Sequence, residues 1–456
     1  MSVVTEKADV SLQYVSLFNE SKNKLNTGSH EILNSLRNKA FQDFVKQGIP
    51  TRKNENYKYT NLQPAFGFDY QVSFEKPQTE IAGEEIFRCD VPRLDTHHAV
   101  LLNGGFINKN QAIQLPAGII FESLETAASK YADLIKKHYG MLAETASDPV
   151  VALNTAFAKD GYFLYVPKNV YMEKPLQIIS LLKSENDAIS THRNLVIIEQ
   201  GAKAQIILCN HTLNLNRYLN NSVTEVFVGE NAQFECYSVQ NQHNNSTLLN
   251  SVFVEQESNS VVSSYTVSLH GGLIRNNLKF TLNGENGEAN LFGLAFPDKK
   301  QHIDNFIQIE HAKPHCQSNQ LFKYVLNDNS TGAFSGKIHV ARDAQKTNAF
   351  QRNNNLLLTD TASMQTKPQL IIDADDVKCS HGATIGQIDE QALFYLRSRG
   401  IEENMARLMM MNAFAHEVVQ EIKVEALRER IDELIEKRLS GDVARCHECN
   451  YKCECS

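Results

Sequence analysis

DADDVKCSHGATIGQIDEQALFYLRSRGI, residues 373–401, is where the texture of this chain changes. Upstream of it, from Gly161 onward, the sequence reads as strands; downstream it reads as helices. If residues 376–381 are extended, side chains alternate faces, and Cys379 and His381 point to the same side. Gly382 and Gly386 predict a turn after them. Asp389 is placed to cap a helix carrying Leu393, Phe394 and Leu396, and Gly400 is placed to stop it. The expectation is a thiol and an imidazole on a rigid strand end, beside a helix that could carry a partner.

Working upstream, short β-rich runs recur, each closed by a small polar corner. Residues 195–199 end at Gly201, 223–228 at Gly229 and Asn231, 252–254 at Ser258 and Asn259, and 278–282 at Gly284 and Gly287. Their starts lie about 26 to 30 residues apart, a period that suits solenoid coils of several strands each. Asn is frequent at these corners, where left-handed backbone is tolerated. No helix period interrupts the series before Glu390, whereas a βαβ fold needs crossover helices. The predicted fold is mainly β, a right-handed parallel β-helix over residues 161–388, with a β-sandwich as the competing topology. An N-terminal helical and mixed region (1–160) precedes it; a helical domain (389–440) and a Cys-rich tail (441–456) follow.

Residues 7–48 predict two helices broken near Gly28, with Leu12, Val15 and Phe18 in one period and Leu33, Leu36, Ala40 and Phe44 in the other. PTRKNENYKYTNL, residues 50–62, reads as a loop pinned to a surface. Residues 63–118 look irregular, with a strand at 99–103, and 124–142 looks helical. DPVVALNTAF, residues 148–157, opens with an Asp-Pro helix entry, where Pro costs no hydrogen bond. Beyond Ile401, residues 408–411 form a Met-rich apolar patch, adaptable enough to serve as a docking surface. Val424, Leu427, Ile431 and Leu434 form a core stripe, with Glu425, Arg428, Glu429, Glu433, Glu436 and Lys437 elsewhere on the helix as a solvated face.

A net charge of −8 excludes the basic face that nucleic-acid binding requires. The N-terminus lacks a signal-peptide layout, and no apolar run reaches the roughly 18 residues of a membrane span. These features predict a soluble cytoplasmic protein. Nine cysteines in 456 residues make no disulfide framework. The tail RCHECNYKCECS gathers Cys446, Cys449, Cys453 and Cys455 beside His447. Four thiolates at this spacing can hold zinc or an iron–sulfur cluster, or bind metal adventitiously on an exposed tail.

Cys379 and His381 form the sharpest pair, because a protonated imidazole nearby favours the thiolate that binds soft metals. The competing reading is a buried thiol beside a satisfied histidine. His302, His311, His315 and Cys316 crowd fifteen residues, but Pro314 argues against a helix there, and corner packing is the simpler account. In residues 336–358, Gln and Asn alternate with apolar residues and predict amide ladders along the corners. No phosphate loop, dinucleotide fingerprint or serine elbow is present, and no carboxylate pair identifies an acid and a base. The residues favour an assembly or binding protein over an enzyme.

KPQLIIDADDVKCSHGATIGQIDEQALFYLRSRGI resembles the signature of the SufB/SufD family, scaffold subunits of the SUF iron–sulfur cluster assembly system. GIPTRKNENYKYTNL (with Tyr57 where the family usually has Trp), DPVVALNTAF and GKIHVARDAQKTNAFQRNNNLLL extend the resemblance over most of the chain. SufB members carry Cys after the Phe-Tyr of the matching helix, where this chain has Leu396. They also lack the Cys-x-His found here, so the resemblance is to the SufD side. It implies a parallel β-helix between helical regions, a SufB sister subunit paired through the core, and a SufC ATPase docked on the C-terminal helices. Leu408, Met411, Phe414 and Glu417 are the residues expected in that docking. The resemblance further implies a transient iron–sulfur cluster, with His381 and Cys379 on this chain's side of the SufB interface, and, indirectly, a sulfur donor. ATP chemistry would belong to SufC. Two other classes compete: a carbohydrate-acting β-helix enzyme, and a metal-storage or delivery protein working through the tail.

Overall fold

Corners of Asn and Gly between short β-rich runs build a parallel β-solenoid of about seven turns. The computed structural model describes residues 10–72, 94–107 and 115–440. Successive strands alternate between two sheets. The first stacks Ala188–Ile198, Tyr218–Val228, Ser246–Gln256, Leu273–Leu282, His302–His311, Thr331–Val340 and Ser363–Ile372, every pair parallel. The second stacks Lys203–Thr212, Gln233–Asn241, Val261–His270, Glu288–Ala295, Gln317–Leu326, Asn348–Leu357 and Lys378–Gly386 in the same way. Along the second sheet Gln233, Val261, Glu288, Gln317, Asn348 and Lys378 align, so each coil takes about 27 to 31 residues.

The corners work as their composition predicts. Asn169, Asn231, Asn259 and Asn286 all adopt left-handed backbone, with φ between 57° and 58°, a conformation Asn accepts more readily than most residues. Gly284 meets a different demand: a Cβ there would lie 1.9 Å from the backbone nitrogen of Ser258 on the coil below.

Between the sheets, Val196, Val226, Ile274, Leu278, Phe280 and Ile307 face Ile206, Phe234, Val262, Leu291 and Phe322 in one continuous core. Amides share this interior. Ser268 donates to Gln240 (2.7 Å), Gln240 to Asn276 (2.7 Å), Asn276 to Asn305 (2.9 Å) and Asn305 to the Tyr324 hydroxyl (2.6 Å). Gln351 donates to Gln320 at 2.9 Å. The longest amide ladder thus runs inside the strands and begins well before residue 336, while at the corners Asn286 donates to Asn259 (3.1 Å). Parallel stacking brings equivalent positions within about 4.8 Å of one another, and a buried amide must find a partner.

Before the solenoid lie α1 (Val10–Asn26), α2 (Glu31–Gln47), α3 (Gln63–Phe66), α4 (Leu124–Lys130), α5 (Ala132–His138) and α6 (Pro149–Phe157). Asp148 caps α6 by accepting from Val150 N at 2.8 Å, and α6 is buried along its whole length. The single helix suggested for residues 124–142 is two, because Tyr131, at φ −128°, breaks the run. A strand does occupy His97–Leu102. The 50–62 segment is pinned as expected. Tyr57 donates to Asp148 (2.8 Å), Arg275 lies 4.2 Å over the Tyr57 ring and donates to Asn56 O (2.6 Å), and Thr60 donates to Asp304.

After the solenoid come α7 (Glu390–Ser398), α8 (Glu403–Val419) and α9 (Glu425–Leu439). Ala415, Val418, Ile422, Leu427 and Ile431 cover the outer face of the second sheet, over the stacked rings of Tyr237, Tyr265 and Phe292. Asp389 caps α7 through Gln391 N and Ala392 N, and Gly400 takes φ 86° just past its end. The turn expected at Gly382 and Gly386 is absent. The strand continues through both, because Gly382 aligns with Arg352 and Gly386 with Leu356, and neither needs positive φ. Among the described residues no helix is long and apolar enough to cross a membrane.

Arg193 and Glu225 form an ion pair at 2.8 Å whose side chains are 1% and 0% exposed. Glu225 also accepts from the backbone nitrogens of Gly140, Leu142 and Ala143. Glu225→Gln leaves a buried guanidinium without its counter-charge. We expect a loss of about 3–5 kcal/mol, read as a lower urea midpoint by circular dichroism.

Candidate functional site

A solenoid of paired strands must end somewhere, and the ends of this one differ. Ser363–Ile372 pairs only with Thr331–Val340, and Lys378–Gly386 only with Asn348–Leu357. Their outer edges meet no strand among the described residues, leaving a row of backbone donors and acceptors open. Pro368 sits in the first of these strands, as Pro can where no further ladder is formed. Large apolar side chains stay exposed around this last coil: Phe350 at 45%, Ile371 and Ile372 at 41%, and Ile385 at 47%.

Register decides which side chains look into the open coil. Cys379 aligns with buried Ala349 and His381 with buried Gln351, so both extend the interior rows of the coils below. The shared face read from the sequence is therefore present, but the two groups fare differently along it. His381 is exposed. Cys379 is half-buried against Ile338, Val340, Ala344, Ala349 and Ala374. Burial pushes its thiol above the ordinary value, and a hydrogen bond with the Ala349 backbone offsets only part of that. Desolvation therefore works against the thiolate at Cys379, which is the direction of the competing sequence reading, a buried thiol.

The four residues expected in docking, Leu408, Met411, Phe414 and Glu417, lie on the row of α8 nearest the second sheet. Met411 is buried at 7% exposure, and Leu408 and Phe414 are half-buried against the same cluster. Glu417 binds Lys323 and, at 2.9 Å, Arg352. The hydrogen bond and charge of Lys323, with Arg352, hold its carboxyl below the usual range. Lys323 itself donates to Phe414 O (2.9 Å) and lies 4.4 Å over the Phe414 ring. This row of α8 is turned to the solenoid. The exposed methionines of α8 are Met405 (52%) and Met409 (46%), on its outer side. Spacing could have shown this: 408, 411, 415 and 418 follow a core stripe, whereas 405, 409 and 413 are out of phase with it. Lys323 and Arg352, one strand apart on the second sheet, carried no local signal at all.

The other candidates resolve into packing. His302 contacts the hydroxyls of Thr60 (2.9 Å) and Thr331 (2.7 Å). His311 is buried against Ser318 (2.9 Å), where burial lowers its imidazole to about 4. His315 occupies a left-handed corner at φ 61°, and Cys316 donates to Gly284 O at 3.2 Å. Among the described residues, no group of three or more His, Cys, Asp or Glu could hold a metal ion. Cys446, Cys449, Cys453 and Cys455 lie outside the described residues.

Fold and site together define a class: a parallel β-solenoid with one unfinished end and a helical cap along one sheet. Comparison with known proteins places the chain within that class. The family description "SUF system FeS cluster assembly, SufBD core domain" matches residues 181–414, and "SufBD protein N-terminal region" matches residues 8–178. The iron-sulfur cluster assembly protein SufD of Escherichia coli is 31% identical over 88% of this chain and 92% of its own length. A SufBD family protein of Synechocystis is 30% identical over 90% of each chain. The SufD of Bacillus subtilis is 28% identical over 71% of this chain and 74% of its own. The chain belongs to the SufBD family of the SUF system, on its SufD side, and is an iron–sulfur cluster assembly protein.

The thiol state of Cys379 is open to measurement. Iodoacetamide at pH 7.5 should modify it about tenfold more slowly in the folded chain than in urea, with the rate climbing as pH rises, since the thiolate is the nucleophile. Mass spectrometry of the Cys379 peptide reads the rate. Labelling as fast as in the unfolded chain would mean that burial does not control the group.

Proposed function

We propose that this chain is a non-catalytic scaffold subunit that pairs with a SufB-type sister through its open coil and takes a SufC-type ATPase on its C-terminal helices. The observation that carries the reading is the last coil, where two unpaired strand edges, a rim of exposed isoleucines and His381 lie together. An unpaired edge accepts a strand from another chain through main-chain hydrogen bonds, and the apolar rim adds burial. The names of the Escherichia coli and Bacillus subtilis relatives support the assembly role.

The nascent cluster is then cargo built at the junction of the two subunits, in the cytoplasm, from iron and a sulfur donor that reach the complex indirectly. His381 offers an exposed imidazole, a nitrogen ligand of the kind iron accepts. Cys379, whose thiol burial pushes upward, would release its proton on binding a metal ion. ATP hydrolysis falls to the ATPase partner, while this chain contributes a rigid edge.

Two variants separate pairing from chemistry. Ile385→Lys should break the heterodimer with the SufB-type subunit, seen by size exclusion with light scattering, while the monomer keeps its melting temperature. His381→Ala should keep the complex but lower cluster formation about tenfold or more in anaerobic reconstitution, followed by absorbance and acid-labile sulfide. Full cluster yield from His381→Ala, or heterodimers unaffected by Ile385→Lys, would count against the reading.

A further inference from the structure

α8 is apolar on two sides, and only one of them is used by the fold. Ala406, Met411, Ala415, Val418 and Val419 are buried against the solenoid and α9. Met405, Met409 and Ala413, four residues apart, form a second line that faces outward. A helix whose task is only to cover a sheet presents polar residues to water. Methionine is also the apolar side chain that adapts best to another protein's surface.

The line runs into a cleft of about 300 Å³ between α8 and α9, lined by Asn412, Ala413 and His416 on one wall and Asp432, Ile435 and Glu436 on the other. The cleft is acidic. Asp432 is half-buried, and burial holds its carboxyl above the usual range, only partly offset by His416, 3.9 Å away, and by Arg428. Glu436 is exposed beside it, and Glu425 and Glu429 continue the same row of α9. Arg428 lies 3.9 Å from Glu425 and acts on Asp432 from the same helix, while Arg430 pairs with Glu433 (2.9 Å) and Arg438 with Asp298 (2.7 Å). A cation entering the cleft would favour the ionised form of Asp432 and complete the site. A metal ion is a poor candidate, because the described residues provide no group that could hold one.

We propose that this strip recognises the ATPase partner by taking a lysine or arginine side chain into the α8–α9 cleft between Asp432 and Glu436, while apolar partner residues cover Met405 and Met409. The inference deepens the reading that a SufC-type ATPase docks on these helices, and rests on it. Its new content is the chemistry of recognition: a basic side chain beside an apolar one, on the row of α8 opposite Leu408, Met411 and Phe414. Charge in the cleft would steer the encounter and fix the register, with the methionines supplying contact area.

The full chain is titrated with the SufC-type ATPase by calorimetry at low and high salt. Asp432→Asn with Glu436→Gln should weaken binding at low salt about tenfold and flatten its salt dependence, since screening acts on the charge that was removed. Met409→Glu should abolish binding, and Glu185→Gln, which removes one charge from a solenoid corner as Glu436→Gln removes one from the cleft, should leave it unchanged. The single Glu436→Gln variant, at an exposed position, keeps the test valid if the double variant unfolds. Wild-type affinity and salt dependence in the charge variants, with binding lost in Met409→Glu, would overturn the cleft while leaving docking on the helices intact. Wild-type binding by all variants would remove the docking reading as well. Self-association of the chain alone that Met409→Glu dissolves would overturn the proposal in favour of a second copy as occupant.

Discussion

Each strand inside the stack has its backbone groups satisfied by the coil before it and the coil after it. That arrangement sets the terms for the rest of the molecule. Parallel strands cannot close on themselves through tight hairpins, so the chain advances one coil at a time, with corners that tolerate left-handed backbone. The same rule guarantees a last coil whose outer edges are open. At the beginning of the solenoid, the antiparallel strands Ile120–Ser123 and Gly105–Ile107 finish the two sheets. At the other end, Ser363–Ile372 and Lys378–Gly386 are left as they are, and there the interior row surfaces as Cys379 and His381.

Because the core is a stack, anything attached along it bridges several coils at once. α8 and the turn after it cross the second sheet in this way. Lys423 meets Glu235 at 2.7 Å, Tyr265 donates to Glu421 O at 2.7 Å, and Glu417 joins Lys323 to Arg352. Arg352 aligns with Gly382, the residue after His381. The cap is therefore tied to the strand adjoining the open edge. Lys323, nearly buried, makes that tie firm, since a buried ammonium left without its carboxylate is costly.

The N-terminal region is locked on by different means. Arg275 reaches out from the first sheet to Asp304, to the Tyr57 ring and to Asn56 O, while Tyr57 binds Asp148 at the head of α6. One guanidinium thus gathers a loop, a helix cap and two strands. The arrangement explains why the 50–62 segment, rich in charge and without a core stripe, is nevertheless held in place.

The period of the β-rich runs, the Asn corners, the Asp389 and Asp148 caps and the alternation that pairs Cys379 with His381 were all legible in the sequence. Each is a local rule, expressed within a few residues of itself. Other features were settled only in three dimensions: the strand running through Gly382 and Gly386, the amides turned inward, the half-burial of Cys379, and the face that α8 gives to the sheet. All of these depend on the neighbouring coil. A glycine bends or extends according to what it pairs with, a thiol ionises according to what covers it, and a helix buries whichever row its partner sheet can receive. Contacts of that kind join residues tens to hundreds of positions apart, and only the folded stack brings them together.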